Sequence, residues 1–188
     1  MKQHPILYTA DMVQAWFAGT KTQTRRLADG KNGKPSYWTK VQSGDVLWGR
    51  ETWQAHYAYD LLSPKEIPSN QKPYIQFPAT YDGWESKKRP SIHMPRWASR
   101  ITQKIVNVRI ERLQDISEAD AIAEGIFEGP PCPVTGEKRW SNYNSNARSN
   151  FTRDASTSFC TLWESVYGEG EWECDPEVVV IEFERYKA

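Results

Sequence analysis

Helical spacing of apolar residues predicts three short helices, in 9–19, 116–126 and 155–168. Each stretch has a glycine as its last or next-to-last residue, the residue type that most often closes a helix. In the second stretch Ser117 is a good N-cap. Asp120, three residues further on, completes a variant of the capping box.

Alternating and β-branched stretches predict about five or six strands. The clearest is 101–113, where Val106, Val108 and Ile110 alternate with polar residues. The others are 20–27, 46–53, 74–81 and 176–186. Because few helices connect these strands, the pattern favours an α+β fold, a small β-barrel-like domain, over a doubly wound sheet.

The length of 188 residues suggests a single domain that spans the whole chain, 1–188. Two stretches do not fit a regular pattern. Residues 55–72 are irregular, and residues 128–155 are rich in Asn, Ser and Pro with few apolar positions. We interpret both as insertions into the domain rather than as a second domain.

The charges balance over the whole chain, but basic residues are concentrated in two stretches. The chain has 24 basic and 24 acidic residues, so net charge does not favour indiscriminate binding to long nucleic acids. However, six basic residues and one acid lie in 21–40, and six basic residues and no acid lie in 87–104. These clusters are either solvated faces or the walls of one cationic cleft. Nine tryptophans, several beside arginines, suit stacking on nucleobases as well as core packing.

Several classes of site are not expected. The three cysteines are far apart and odd in number, which indicates a reduced, cytoplasmic protein rather than a disulfide framework. The three histidines lack ligand spacing, so we expect no metal site. No dinucleotide or Walker motif is present, and we expect no cofactor. No apolar run approaches the length of a membrane span, and the N-terminus does not resemble a signal peptide.

The stretch AGTKTQTRR, residues 18–26, concentrates reactive side chains directly behind a glycine. Lys21 and Thr24 would face opposite sides of a regular strand, but a turn or bulge after Gly19 would let them share a site. A lysine with a lowered pKa can act as a base toward a threonine hydroxyl. Arg25 and Arg26 would lower that pKa and could also hold a phosphate or carbonyl oxygen. The alternative is an ordinary solvated strand start.

A second polar stretch, from 89 to 100, could form the other wall of a cleft. Its arginines suit phosphates, its tryptophan suits stacking and its serine suits base edges. The alternative is a structural crossover held by two prolines, with the tryptophan in the core. The candidate binding residues here and in the polar WGRETW segment are Arg50, Ser91, His93, Arg96 and Trp97.

Four blocks, in this order along the chain, together resemble the ASCH domain of the PUA-like superfamily. The first is GTKTQTRR, which is similar to the family's G-x-K-T-x-T-x-R motif at Gly19, Lys21, Thr22, Thr24 and Arg26. The others are SGDVLW at 43–48, ISEADAIAEGI at 116–126 and VVIEFE at 179–184. The stretches RPSIHMPRWASRI at 89–101 and RLQDISEADA at 112–121 are similar to longer ASCH proteins of phages and prophages. The resemblance does not include 55–72 or 128–155.

The resemblance implies a PUA-like fold and a small set of functions. One bacterial branch hydrolyses N4-acetylcytidine to cytidine and acetate with a lysine, a threonine and a glutamate, which correspond to Lys21, Thr24 and Glu124. Lys21 would be the base toward Thr24 or a water, Glu124 would orient the lysine or move a proton, and Arg26 would steady the oxyanion. Glu124 is otherwise interpreted as an exposed carboxylate at a helix end.

Three functions therefore stay open at this point. The first is binding of RNA or a modified nucleoside in a basic cleft, with hydrolysis of an amide such as that of N4-acetylcytidine. The second is a non-catalytic RNA-binding module, and the third is a ribonuclease, for which no histidine pair is evident. The expected partner is RNA or a nucleoside rather than a membrane. The sequence does not indicate an oligomeric state.

Overall fold

The structure, a computed structural model, describes residues 1–30, 34–70, 75–81, 83 and 85–186. It has ten strands, β1 to β10 in chain order: Gln3–Leu7, Gln23–Leu27, Val46–Arg50, Trp53–Ala55, Ile75–Gln76, Lys88–Arg89, Thr102–Arg112, Trp140–Ser141, Phe151–Thr152 and Glu177–Arg185. The three α-helices, α1 to α3, are Ala10–Ala18, Glu118–Ala123 and Ala155–Tyr167.

The main sheet contains five strands in the order β1, β3, β7, β10, β2. Only β1 and β3 run parallel, and the other neighbours are antiparallel. The buried run Val178–Ile181 lies at the centre of β10, between β7 and β2. Because β2 is the edge strand next to β10, the sheet fixes the residues that follow α1 against the C-terminal strand.

Each helix begins where the sequence provides a cap. Thr9 caps α1, Asp154 caps α3, and Ser117 with Asp120 forms a complete capping box on α2. The α1 helix closes at Gly19, whose φ of 87° is left-handed. Arg185 of β10 donates to carbonyls in the last turn of α1, which ties that helix end to the sheet.

Apolar side chains pack into three clusters. One lies between α1 and the main sheet and includes Val13 and Leu47, and the second lies between α3 and the other face of the sheet. A third, smaller cluster is built around Trp53, whose side chain is fully buried. The α2 helix is anchored in the second cluster through Ala121 and packs beside α3. Both faces of the sheet are therefore covered where β2 and β10 meet.

The expected α+β class is confirmed, with three short helices at the predicted places. The described residues form ten strands rather than the five or six expected, because β1 was not predicted, the predicted strand 46–53 is divided into β3 and β4, and β6, β8 and β9 are only two residues long and carry little periodic signal. They form three separate sheets, of five, three and two strands. Ladders between described strands do not close the main sheet, whose edges are β1 and β2.

The structure also shows what the irregular stretches contain. The predicted strand 46–53 is broken between β3 and β4, where Glu51 is buried and bonded to Arg100. The short ladder of β8 and β9 lies within 128–155, and β4 borders 55–72, of which residues 71 and 72 lie outside the described part.

In the described part of the chain, no helix has the length and apolarity to span a bilayer, and no cluster of side chains is suited to a metal.

Candidate functional site

The chain turns sharply after α1 and places Lys21 in the interior. The backbone amides of Thr20 and Lys21 both donate to the carbonyl of Ala15, so the segment folds back over the helix end before β2 begins. Lys21 thus lies outside the regular strand, and its side chain is only 2 % exposed. The left-handed conformation of Gly19 makes this turn possible without strain.

The Lys21 ammonium group has a partner for each of its three N–H donors. It donates to the Gln23 carbonyl at 2.9 Å, to the Glu124 carbonyl at 2.7 Å and to Glu124 Oε2 at 3.4 Å. Its Nζ also lies 5.5 Å from the centre of the Tyr8 ring. A buried charge needs such partners, because an unpaired ammonium in the interior costs several kcal/mol, about the stability of a small domain.

Burial is the main influence on the acidity of this lysine. The pKa of Lys21 is lowered to about 8 in all: removal from water is the largest cause, Glu124 raises the pKa, and Arg26 and Arg25 lower it. A lysine with that pKa exists partly as a neutral amine near neutral pH. It can therefore accept a proton in a reaction, which an ordinary surface lysine does poorly.

Glu124 occupies the C-terminal end of α2, where its side chain is almost completely buried. One carboxylate oxygen accepts from Lys21, and the other accepts from Arg25 Nη1 at 3.1 Å. The Arg25 guanidinium in turn contacts Glu111 at 2.5 Å and Asp120 at 3.6 Å. Glu124 is thus a paired anion held between two cations, and Arg25 links it to a wider ion-pair network on β7 and α2.

Thr24 joins this arrangement through Arg26 rather than through Lys21. The Thr24 side chain is fully buried on β2, and its hydroxyl oxygen accepts from Arg26 Nη1 at 2.8 Å. The same nitrogen donates to the Arg25 carbonyl at 2.7 Å, and the guanidinium carbon lies 5.7 Å from the Trp38 ring centre. In this arrangement the Thr24 hydroxyl is held by a cation that could also polarise a ligand oxygen.

A pocket of about 320 Å³ opens directly over this polar group. Its lining is Leu7, Tyr8, Thr9, Met12, Arg25, Arg26, Ser91, Glu124, Phe159, Leu162, Trp163, Val166 and Tyr167. Glu124, Arg25 and Arg26 belong to this lining, whereas the buried Lys21 and Thr24 do not. The volume is within the range of pockets that hold small organic ligands.

The other predicted binding residues divide into two groups. Arg50 donates to the Ser91 carbonyl at 3.1 Å and to the Ile92 carbonyl, and Ser91 itself lines the pocket. Arg50 thus holds a pocket wall in place from behind. It also lies over the Trp48 ring, with its guanidinium carbon 5.5 Å from the ring centre.

The structure does not bring His93, Arg96 or Trp97 to this pocket. His93 lines a separate depression beside 61–64, and Arg96 donates to Gln3 Oε1 at 2.8 Å. Trp97 packs edge-on against the buried Trp53, with ring centres 6.4 Å apart. This part of the 89–100 stretch is therefore a structural crossover rather than a wall of the pocket.

Two features of the pocket were not among the residues proposed from the sequence. Tyr8 lies just before α1, where its fully buried hydroxyl donates to Gln103 at 2.9 Å and burial raises the pKa of Tyr8. The aromatic side chains of α3 form a whole wall. The apolar stripe on α3 was visible in the sequence, but nothing in the spacing distinguished a pocket wall from ordinary core.

Comparison with protein-family models, with curated proteins and with solved structures finds no match for this chain.

Proposed function

We propose that this chain is an ASCH-type domain of the PUA-like superfamily, with a small β-barrel core. We further propose that it binds RNA or a modified nucleoside and hydrolyses an amide such as that of N4-acetylcytidine. The observation that supports this most strongly is the buried contact between Lys21 and Glu124 behind the pocket. Perturbed pKa values cluster at functional sites, and the pKa of the buried Lys21 is lowered to about 8.

The proposed reaction begins when the neutral form of Lys21 turns from one of its three acceptors toward the pocket and removes a proton. The proton comes from a water or from the Thr24 hydroxyl, and the resulting oxygen nucleophile attacks the carbonyl carbon of the amide. Glu124 lies between Lys21 and Arg25, so its carboxylate stabilises the ammonium that Lys21 becomes. With water as the nucleophile, Lys21 then returns the proton to the departing amine nitrogen, and the amine and acetate are released. With Thr24 as the nucleophile, the acetyl group is first held as an ester on the Thr24 oxygen, and a water deprotonated by Lys21 hydrolyses that ester in a second step.

Arg26 is suited to stabilise the negative charge that develops on the amide oxygen. Its guanidinium lines the pocket and already donates to the Thr24 hydroxyl, so a substrate oxygen would replace part of an existing contact. In known enzymes, a single preorganised donor of this kind contributes roughly 3 kcal/mol to the rate. Direct attack by Thr24 requires Arg26 to release its hydroxyl first, which makes a water the simpler nucleophile.

A non-catalytic RNA-binding module is the second candidate, and one observation favours it. The Trp48 ring has two guanidinium groups over it, from Arg50 at 5.5 Å and from Arg96 at 5.7 Å. Arginine and aromatic side chains grouped in this way are typical of surfaces that bind single-stranded nucleic acids. This surface is on β3, whereas the Lys21–Glu124 contact is beside β2. In the sheet, β7 and β10 lie between those two strands.

The experiment is to incubate the protein with N4-acetylcytidine and, separately, with single-stranded RNA. Wild type, Lys21→Met and Thr24→Ala are compared by release of acetate and cytidine, with circular dichroism to verify folding. We expect wild type to release acetate, Lys21→Met to lose at least about a hundredfold in rate, and the exposed-lysine control Lys104→Ala to match wild type.

Acetate release by Lys21→Met at the wild-type rate would contradict the proposed role of Lys21 as the base. Binding of RNA without any acetate release would favour the non-catalytic module, and cleavage of the RNA chain would favour a ribonuclease.

A further inference from the structure

A second group of hydrogen-bonded reactive side chains lies outside the pocket, where β1 meets the start of β3. It consists of Asp45, His4 and Tyr37, in that order of contact. Asp45 Oδ2 lies 3.0 Å from His4 Nε2, and His4 Nδ1 lies 2.6 Å from the Tyr37 hydroxyl oxygen. Tyr37 begins a short 3-10 helix, Tyr37–Lys40, so three separate segments contribute one residue each. None of the three residues lines the pocket described above.

Burial differs sharply among these three side chains. Asp45 and His4 are 2 % and 4 % exposed, whereas Tyr37 is 53 % exposed. Asp45 Oδ1 also accepts from the Lys2 backbone amide at 2.7 Å, and this bond, followed by the bond to His4, lowers the pKa of Asp45. Asp45 is therefore a carboxylate near neutral pH, held in a fixed position. The phenol is the member of the group that a reagent in solution can reach.

The carboxylate of Asp45 decides which nitrogen of His4 carries the proton. An ionised carboxylate only accepts hydrogen bonds, so the neutral imidazole carries its proton on Nε2 and donates it to Asp45. Nδ1 is then the unprotonated nitrogen, and it accepts from the Tyr37 O–H. The histidine thus presents its basic nitrogen to an exposed hydroxyl, and a buried third group keeps it in that orientation. This arrangement is typical of an activated nucleophile.

The contacts of the phenol favour an electrophile without charge. The Tyr37 hydroxyl is bonded to an imidazole, and the Tyr37 ring packs edge-on against Trp38, with ring centres 5.4 Å apart. Both of these neighbours are neutral. A phosphoryl donor carries several negative charges, which proteins stabilise with cationic groups at the reacting atoms. An acyl group from an ester has no such requirement and fits these contacts better.

We propose that Tyr37 is an activated nucleophile that takes an acyl group from a small activated ester, with His4 as its base and Asp45 as the residue that positions His4. The Tyr37 hydroxyl gives its proton to His4 Nδ1, and its oxygen forms a bond to the carbonyl carbon of the ester. The bond from that carbon to the ester oxygen breaks, and the departing alcohol takes the proton from His4. The products are an O-acylated Tyr37 and the free alcohol. This reaction is separate from the proposed function, because it uses no residue of the pocket.

The experiment measures acylation of individual tyrosines by p-nitrophenyl acetate, with peptide mapping by mass spectrometry. Tyr81, which is 64 % exposed, is the reference within the same molecule. Wild type is compared with Asp45→Asn and His4→Gln, and circular dichroism verifies folding.

The two substitutions keep the hydrogen bonds of the group but remove its base. In Asp45→Asn the side-chain oxygen can still accept from the Lys2 amide, but the new amide donates to His4 Nε2. The histidine proton then moves to Nδ1, which can no longer accept from Tyr37. In His4→Gln the amide can still donate to Asp45, but it cannot take a proton from the phenol.

We expect Tyr37 to be acylated about a hundredfold faster than Tyr81 in wild type, although Tyr81 is the more exposed of the two. In both variants the Tyr37 rate should fall to about that of Tyr81. A wild-type Tyr37 that reacts no faster than Tyr81 would show that the group only holds β1 and the 3-10 helix together, and would overturn the inference. A Tyr37 rate that either substitution leaves unchanged would overturn it as well.

Discussion

At the scale of single residues, the most unusual feature is the buried lysine Lys21, whose ammonium group lies beside the carboxylate of Glu124. The residue types that make this possible were visible in the sequence, because Lys21, Arg25 and Arg26 all lie within the short stretch 18–26. The sequence did not indicate that the two arginines bind different partners. Arg26 bonds Thr24, whereas Arg25 points to the opposite side of β2 and holds Glu124. That division follows from the alternation of side chains along a strand.

Arg25 is therefore expected to act as a positioning residue through Glu124. In Arg25→Gln the carboxylate of Glu124 loses one of its two cations and interacts more strongly with Lys21. Because Arg25 lowers the pKa of Lys21 and Glu124 raises it, the pKa of Lys21 should rise in this variant. We expect the midpoint of the rate of hydrolysis against pH to move upward and the stability to fall by about 3 kcal/mol.

The matched control is Arg109→Gln, which removes another arginine of the same ion-pair network. Arg109 contacts Glu111, Asp120 and Glu182 but not Glu124. It is about a third exposed, so its loss should cost less stability and leave the pH midpoint unchanged. A midpoint that shifts equally in both variants would contradict a specific role for Arg25.

At the scale of elements, the site depends on how closely α2 approaches the turn after α1. Gly125, directly after Glu124, has a φ of +83°, and a Cβ at this position would lie 2.8 Å from the Cβ atoms of both Ala15 and Lys21. The sequence predicted α2, its cap and its terminal glycine from local pattern alone. It did not predict that this glycine is also the contact that lets Glu124 reach Lys21, because that contact joins segments about a hundred residues apart.

Gly125→Ala should therefore damage both stability and activity. The left-handed backbone alone costs an alanine roughly 1 kcal/mol, and the close contacts should add roughly 2 kcal/mol more. We expect unfolding in urea at a clearly lower concentration, together with slower hydrolysis, because Lys21 must move to make room.

Gly136→Ala is a control for the stability that a left-handed backbone alone costs an alanine. Its φ is +74°, but a Cβ there would have no neighbour within 4 Å. It should lose only the roughly 1 kcal/mol of backbone strain and keep full activity. Equal losses in the two variants would show that the contact with Lys21 has no importance.

At the scale of the whole molecule, the sheet order places β2 beside β10 and places α3 over the same region. The long, strongly patterned strands and the three helices were predictable because their apolar residues follow a local period. The short strands, the burial of Arg25 and the position of α3 over the pocket were not, because they depend on packing between distant segments. For the same reason Trp97, beside an arginine in the sequence, lies against Trp53 rather than in the pocket.

The most direct test of the central claim is the dependence of N4-acetylcytidine hydrolysis on pH, from about pH 6 to about pH 10. If neutral Lys21 is the base, kcat should be low while the amine is protonated and should rise with pH to a plateau. The midpoint should be near the pKa of about 8 that burial gives this lysine. Wild-type hydrolysis that is independent of pH over this range, or absent at every pH, would contradict the account.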